Sequence, residues 1–340
     1  MPETIYIQAC AGIMAQDIFG RNTLPETLLQ QEGRMLQMTE PDYRQYFSIM
    51  QLRRMSRLTR AGITAAISSL AQAGVARPGA IITGTGKGSL SDTEKFMQSI
   101  REFEEGTLNP SPFIQSTYNS LNGLIGLHFD VDCYNTTFVH RGFSLEHAIL
   151  DAMLLLREGQ VKHALVGSFE EITQQHFTIK EKLGYWNGPI AGEGSFFFLL
   201  SGSPENAKAK LSGLRILFEP SAQDLFAAAH GLLDKAGLRT QDVDLLLLGN
   251  NGDQRYDGRY EEMASLFPPR TPVAGFKHIS GEFDTAAGFA LWMAAGIVSG
   301  NTPHPAVMRR GSLPGRCRHL LIYNHFYDRQ HVLYLVSAPE

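Results

Sequence analysis

The stretch "TFVHRGFSLEHAILDAMLLL", Thr137 to Leu156, has the layout of a mount for a nucleophile. A β-branched and aromatic run suits a strand, a sharp turn is expected at Gly142, and an apolar-periodic helix follows. A side chain at such a turn is pushed into the open beside helix N–H groups and the positive end of the helix dipole. The residue at the bend is nevertheless glycine, which offers no atom for covalent chemistry.

Other reactive residue types give weaker signals. Cys10, Cys133 and Cys317 are odd in number and far apart, which argues against a disulfide framework and against CxxC metal chemistry. They read as reduced thiols, and Cys10 and Cys133 as small buried hydrophobes. Cys133 lies just upstream of the bend, with neither a base nor a helix N-terminus evident beside it. The eleven histidines are scattered. His325 and His331 in "NHFYDRQH" lack the spacing of a zinc site, so no metal and no cofactor is expected.

"GTGKGSLSD", Gly84 to Asp92, follows an apolar run but fails the phosphate-loop spacing and reads as a tight turn. Arg53, Arg54, Arg57 and Arg60 recur at helical spacing and predict one basic stripe. Its first reading is a solvated helix face, its second a docking surface for an acidic partner.

The elements that must position these residues repeat. "TAAISSLAQAGVARPGAIITGTGKG" and "AAAHGLLDKAGLRTQDVDLLLLGNNGD" each read as a helix stopped by glycine, a short connection and a buried strand. "NTTFVHRGFSLEHAILDAMLLLREGQ" and "PVAGFKHISGEFDTAAGFALWMAAGIVSG" both run from strand through a glycine bend into an alanine-rich helix. Two copies of one α/β unit are the economical reading, with helices covering largely parallel sheets on both faces. The join falls near Ser201 to Gly213, giving halves at 1–202 and 203–340. "NPSPFIQSTYNSLNGLIGLHF" reads as turn formers, a short strand and an apolar segment.

The chain has 340 residues, 43% of them hydrophobic, and a formal net charge of -4, which gives no reason to expect nucleic acid as a partner. No apolar run approaches the ~20 residues of a membrane span, and the first residues lack the basic start of a signal peptide, so the expected location is the cytoplasm.

The order of "LRRMSRLTRAGITAA", "GTGKGSLSDTEKFM", "NPSPFIQSTYNSLNGLIGLHF", "TTFVHRGFSLEHAILDAMLLLREGQVKHALVGSFEEIT", "AGEGSFFFLLS" and "GFKHISGEFDTAAG" resembles the β-ketoacyl synthases of the thiolase fold. Within them the chain is similar to the group found in aryl-polyene and flexirubin pigment pathways. The resemblance implies a five-layer αβαβα fold of two similar halves, the first carrying the elbow and the dimer seam.

It also implies where catalytic groups belong. Active members carry a cysteine at the position of Gly142. Their two histidines fall at Asn251 and Glu282, while the family lysine is retained as Lys277. The glycine-rich turn that admits the pantetheine arm appears here as Phe326, Tyr327, Asp328 and Arg329, whose bulk is expected to crowd the entrance.

The function implied is that of a catalytically inactive homologue, a chain-length-factor-type partner of an active ketoacyl synthase, in polyene, polyketide or fatty-acid-like biosynthesis. The implied partners are that synthase, or a second copy of this chain, and an acyl carrier protein docking on Arg53, Arg54, Arg57 and Arg60. Interface and tunnel residues are expected among Phe113, Gln115, Tyr118, Asn119, Phe138, His140 and Arg141. The alternatives are a divergent ketoacyl synthase or acyltransferase with an unusual active site, and a homodimeric scaffold that holds acyl carrier proteins.

Overall fold

In each half a helix runs into a buried strand, and glycine makes the join. Gly74 and Gly237 take φ of 66° and 70°, left-handed values open to glycine without strain, just after the two helices end. The computed structural model describes residues 4–29, 33–104, 106–313 and 315–339.

Among these residues the strands are β1 (Ile5–Met14), β2 (Ala80–Gly84), β3 (Tyr134–Phe138), β4 (His163–Glu170), β5 (Gly194–Ser201) and β6 (Ala209–Phe218). They continue as β7 (Leu245–Leu248), β8 (Val273–Gly275), β9 (Met308–Arg310), β10 (His319–Phe326) and β11 (Gln330–Ser337). The helices are α1 (Ile49–Arg54), α2 (Arg57–Gln72), α3 (Leu90–Phe103), α4 (Pro110–Ser116), α5 (Ser120–Phe129) and α6 (Ser144–Arg157). After them come α7 (Gln174–Lys182), α8 (Ala222–Lys235), α9 (Gly258–Ser265), α10 (Lys277–Ser280) and α11 (Ala287–Val298).

The strands align in the order β3-β2-β4-β5-β1-β6-β11-β10-β7-β8-β9. Apart from β9, which has no counterpart, the order is symmetric about the β1–β6 contact, where Ile5, Tyr6 and Ile7 pair with Leu211, Lys210 and Ala209. On one side β2 runs parallel to β3 and β4, and on the other β7 runs parallel to β8 and β10. The remaining pairs are antiparallel, so the sheet is mixed rather than largely parallel. The sequence hid this because strands such as "GSFFFLLS" are buried on both faces and lose the alternation that marks an antiparallel edge.

Helix placement gives the five layers. Every residue of α11 is buried, and the helix packs on β1 and β5 from one half and on β10 and β11 from the other. A helix apolar all round belongs inside, and this one, with α6, forms the middle layer. Helices α2 and α5 cover the outer face of the first half, and α8 the outer face of the second. Three separate hydrophobic clusters fill the spaces between the layers.

Two local expectations fail. Residues 110–129 form α4 and α5 and no strand, because Asn109 caps the start of α4, accepting from Ser111, and Pro110 sits at the first helical position. The arginines do not share one helix. The chain is extended at Met55, and Ser56 caps a second helix, so Arg53 and Arg54 end α1 while Arg57 and Arg60 belong to α2.

Candidate functional site

The bend after β3 lies between the sheet and the middle layer. A short helical turn over Arg141–Phe143 leads into α6. The left-handed residue of the bend is Arg141, with φ of 54°, and not Gly142. What requires glycine at 142 is space. A Cβ added there would lie 2.9 Å from Cγ of Phe326 and closer still to its Cβ. The Gly142 N–H donates to Oε1 of Gln330 at 2.8 Å, and Nε2 of Gln330 donates to the carbonyl of His140 at 3.2 Å. The β10–β11 hairpin thus seals the elbow with Phe326 and Gln330.

The hydroxyl of Ser144 is buried, accepts from the His140 N–H at 2.8 Å and donates to the carbonyls of Arg141 and Thr85. Burial pushes the thiols of Cys10 and Cys317 up to about 11 and about 12, and raises Cys133, helped by Asp132. Thiolate is the reactive form, and all three sites disfavour it.

The fold brings the other family positions together. Glu282 follows α10 and is held by two donors on one oxygen: Lys277 Nζ at 2.7 Å and Asn251 Nδ2 at 2.6 Å. Lys277 also donates to the carbonyl of His325 at 3.2 Å. Lys277 and Glu282 are 2% and 4% exposed, so this is a buried ion pair. Both donors converge on Oε2 while Oε1 is buried without a hydrogen-bond partner, and the group presents a carboxylate where the resemblance places an anion-stabilising donor.

Beside it lies a second polar cluster that sequence reasoning passed over. Lys87 bonds Asp284, whose other oxygen is 3.7 Å from Arg141. Glu170 accepts from the Gly86 N–H and, at 3.3 Å, from the Thr85 hydroxyl. Burial, reinforced by Asp284, pushes Glu170 up to about 8. Burial also acts to raise Asp284, but the ammonium groups of Lys87 and Lys180 outweigh it and hold the carboxyl below its ordinary value. The sequence signal was two acids closing the apolar strand in "SFEEIT", which marks charge at the end of a buried element.

Phe326 and Tyr327 stand between these clusters and the outside. Tyr327 and Asp328 both take φ of 51° at the tip of the hairpin, and Asp328 is anchored by Arg259 at 2.9 Å. The space left among Lys87, Glu282, Asp284, Trp186 and the two aromatic rings is about 10 Å³. That is roughly one water. Of the bulk expected at 326–329, Phe326 and Tyr327 line this space, while Asp328 turns to Arg259 and Arg329 to Glu219. Outside the wall lies a cavity of about 730 Å³.

The remaining predicted positions scatter over the surface. Arg53 and Arg54 are exposed. Arg57 is tied to Glu40 at 2.8 Å and to the fully buried Glu193, and Arg60 donates to the carbonyl of Leu52 at 2.7 Å. Phe113 and Tyr118 are exposed, Gln115 donates to the carbonyl of Arg54 at 2.7 Å, and Asn119 opens α5. Phe138 ends β3 beside His147, and His140 stacks on His147 at 4.9 Å. Strand β3 is the edge of the sheet, and Tyr134 and Val139 are exposed on and just after it. Among the described residues no group of three or more histidine, cysteine or acidic side chains could hold a metal ion, and no helix is long and apolar enough to cross a membrane.

Two mirrored halves in five layers, with a strand-to-helix elbow at the inner end of the first, define a thiolase-like ketosynthase fold. Residues 29–188 match the family described as beta-ketoacyl synthase, N-terminal domain. Among solved structures it is similar to the ishigamide ketosynthase/chain length factor, with a TM-score of 0.76, 16% identity and coverage of 99% of this chain and 100% of that one. It is also similar to a ketosynthase in complex with its chain length factor from Xenorhabdus doucetiae, with a TM-score of 0.75, 15% identity and 98% of each chain covered. A third likeness is to a type II polyketide synthase acyl carrier protein in complex with its ketosynthase, with a TM-score of 0.78, 13% identity and coverage of 99% and 100%. At these identities the likeness establishes the fold. A comparison with curated proteins finds no match.

Proposed function

We propose that the chain is a non-catalytic, cytoplasmic ketosynthase homologue that pairs, as a chain-length-factor-type subunit, with an active ketoacyl synthase in polyene or polyketide biosynthesis. One observation carries this reading: Phe326 fills the space in which a nucleophile at 142 would stand. The pairing of Glu282 with Lys277 and Asn251 supports it, since covalent capture and enolate stabilisation act as a unit and both sets of groups are altered. The assembly surface in this reading is the open edge of β3, continued by His140, Arg141 and the exposed apolar residues Phe113 and Tyr118. Such a seam suits a permanent interface of about 2,000 Å² or more. Halves 1–202 and 203–340 then play different parts, the first carrying the seam. Arg53 and Arg54 are the docking cations for an acyl carrier protein, while Arg57 and Arg60 serve the fold.

The test is acylation and assembly together. The isolated chain, incubated with a labelled acyl carrier protein thioester, should carry no acyl group, and co-expression with a neighbouring active synthase should give a stable heterodimer. A labelled chain on any residue, or a protein that stays apart from every such synthase, removes this reading.

A further inference from the structure

The cavity of about 730 Å³ outside the Phe326–Tyr327 wall shares Arg141 with the proposed assembly surface but is otherwise unused by that reading. Its cations are mostly spoken for: Lys87 and Arg141 share Asp284, Arg255 is bonded to Asp253, and Arg329 to Glu219. Lys180 differs. It rises from α7 with Nζ 4.6 Å from the ring centroid of Tyr185, 5.3 Å from that of Trp186 and 5.5 Å from that of Tyr327. Its one hydrogen-bond partner among the described residues is the Tyr327 hydroxyl at 3.4 Å, and no carboxylate there lies within ion-pair distance.

Burial, reinforced by the ammonium of Lys87, pushes the amine down to about 8. Burial pushes the Tyr327 phenol up, so it keeps its proton. An amine that faces the cavity without a carboxylate partner, beside a phenol able to give a proton, can attack a carbonyl through its neutral fraction. Apart from Lys180, four lining cations, Lys87, Arg141, Arg255 and Arg329, face three bonded carboxylates, Asp284, Asp253 and Glu219, which leaves an excess of one positive charge for an anionic group.

We propose that Lys180 is a nucleophilic amine that captures, as an imine, an aldehyde or ketone bearing an anionic group. The Nζ lone pair forms a bond to the carbonyl carbon as the carbonyl π bond breaks toward oxygen. Tyr327 gives its proton to that oxygen and takes one back from nitrogen. The remaining N–H proton leaves with the hydroxyl as water, so no oxidant or reductant is needed. Arg141, Arg255 and Arg329 hold the anionic group, and the tyrosine rings favour a flat body.

Pyridoxal 5′-phosphate is the probe, applied to the whole chain, with borohydride trapping and peptide mass mapping. At pH 7.5 about a quarter of an amine titrating at about 8 is neutral, against about 0.1% of an ordinary lysine. Lys180 should therefore be trapped at least about tenfold faster than any other lysine, the advantage being cut by the lower nucleophilicity of a weaker base. Pyridoxal, lacking the phosphate, should react more slowly, Tyr327→Phe should slow capture without moving the adduct, and Lys180→Arg should remove it. Even labelling across the lysines, or an unchanged adduct yield in Lys180→Arg, overturns the proposal. Equal rates for the two aldehydes overturn its anionic ligand. Because the isolated chain is used, the outcome is independent of whether it pairs with a synthase.

Discussion

Restoring sulfur at the elbow tests whether the site was closed by one substitution or by the packing around it. In Gly142→Cys the new Cβ meets Cβ and Cγ of Phe326, the latter at 2.9 Å. These atoms sit next to the backbone of β10, so relief requires the hairpin to move, and Arg259–Asp328 and the β10–β11 ladder hold it. Overpacking of this kind costs about 1–3 kcal/mol. For a chain of 340 residues, an unfolding entropy of roughly 2 cal/mol/K per residue turns that into a fall in Tm of about 1–4 °C. Phe326→Ala removes the obstruction at the cost of its own buried contacts, and the double variant should be more stable than the two single changes add up to, by about 1 kcal/mol or more. Differential scanning calorimetry reads the stabilities and intact-mass spectrometry reads acylation from a carrier protein thioester. The double variant should accept the acyl group and Gly142→Cys alone should not. Neither should condense it with a malonyl thioester, because Glu282 and Asn251 remain. Unchanged Tm in Gly142→Cys, with ready acylation, would refute the claim that Phe326 closes the site.

Removing the positive partner in Lys277→Met leaves Glu282 buried and uncompensated, and chemical denaturation should show a loss of about 3–5 kcal/mol, much of it recovered in Lys277→Met/Glu282→Leu. Burial pushes the Glu146 carboxyl up to about 7, above its value in the unfolded chain. The folded protein therefore keeps a proton that the unfolded chain releases, and stability should fall as pH rises from about 4.5 toward 7, by roughly 2–4 kcal/mol from this group. Glu146→Gln keeps an acceptor for the Tyr334 hydroxyl and should flatten urea midpoints across that window. Arg53→Glu/Arg54→Glu should leave Tm unchanged and weaken carrier-protein binding in a titration, whereas Arg57→Ala should lower Tm, since it strips the buried Glu193 of its cation. Val139→Lys, at the end of the open edge strand, should turn a heterodimer into separate subunits by gel filtration.

What the amino-acid order determined by itself was everything encoded within about fifteen residues. Helices ending at Gly74 and Gly237, the strand-to-helix bend at 138–144, and the repetition of one unit all follow from local period and from glycine's access to left-handed backbone. So do the residue types at the positions the resemblance marks, because Gly142, Asn251 and Glu282 carry their identities wherever the chain goes. The tertiary structure alone decided what fills the vacancy. Phe326 meets Gly142, Gln330 bonds the backbone across 188 positions, and Asn251 reaches Glu282 across 31, distances over which periodicity holds no information. The direction of doubly buried strands and the cage around Lys180 were settled there too. The physical reason is the same in each case: spacing fixes which face a side chain occupies, but only packing fixes which other face it meets.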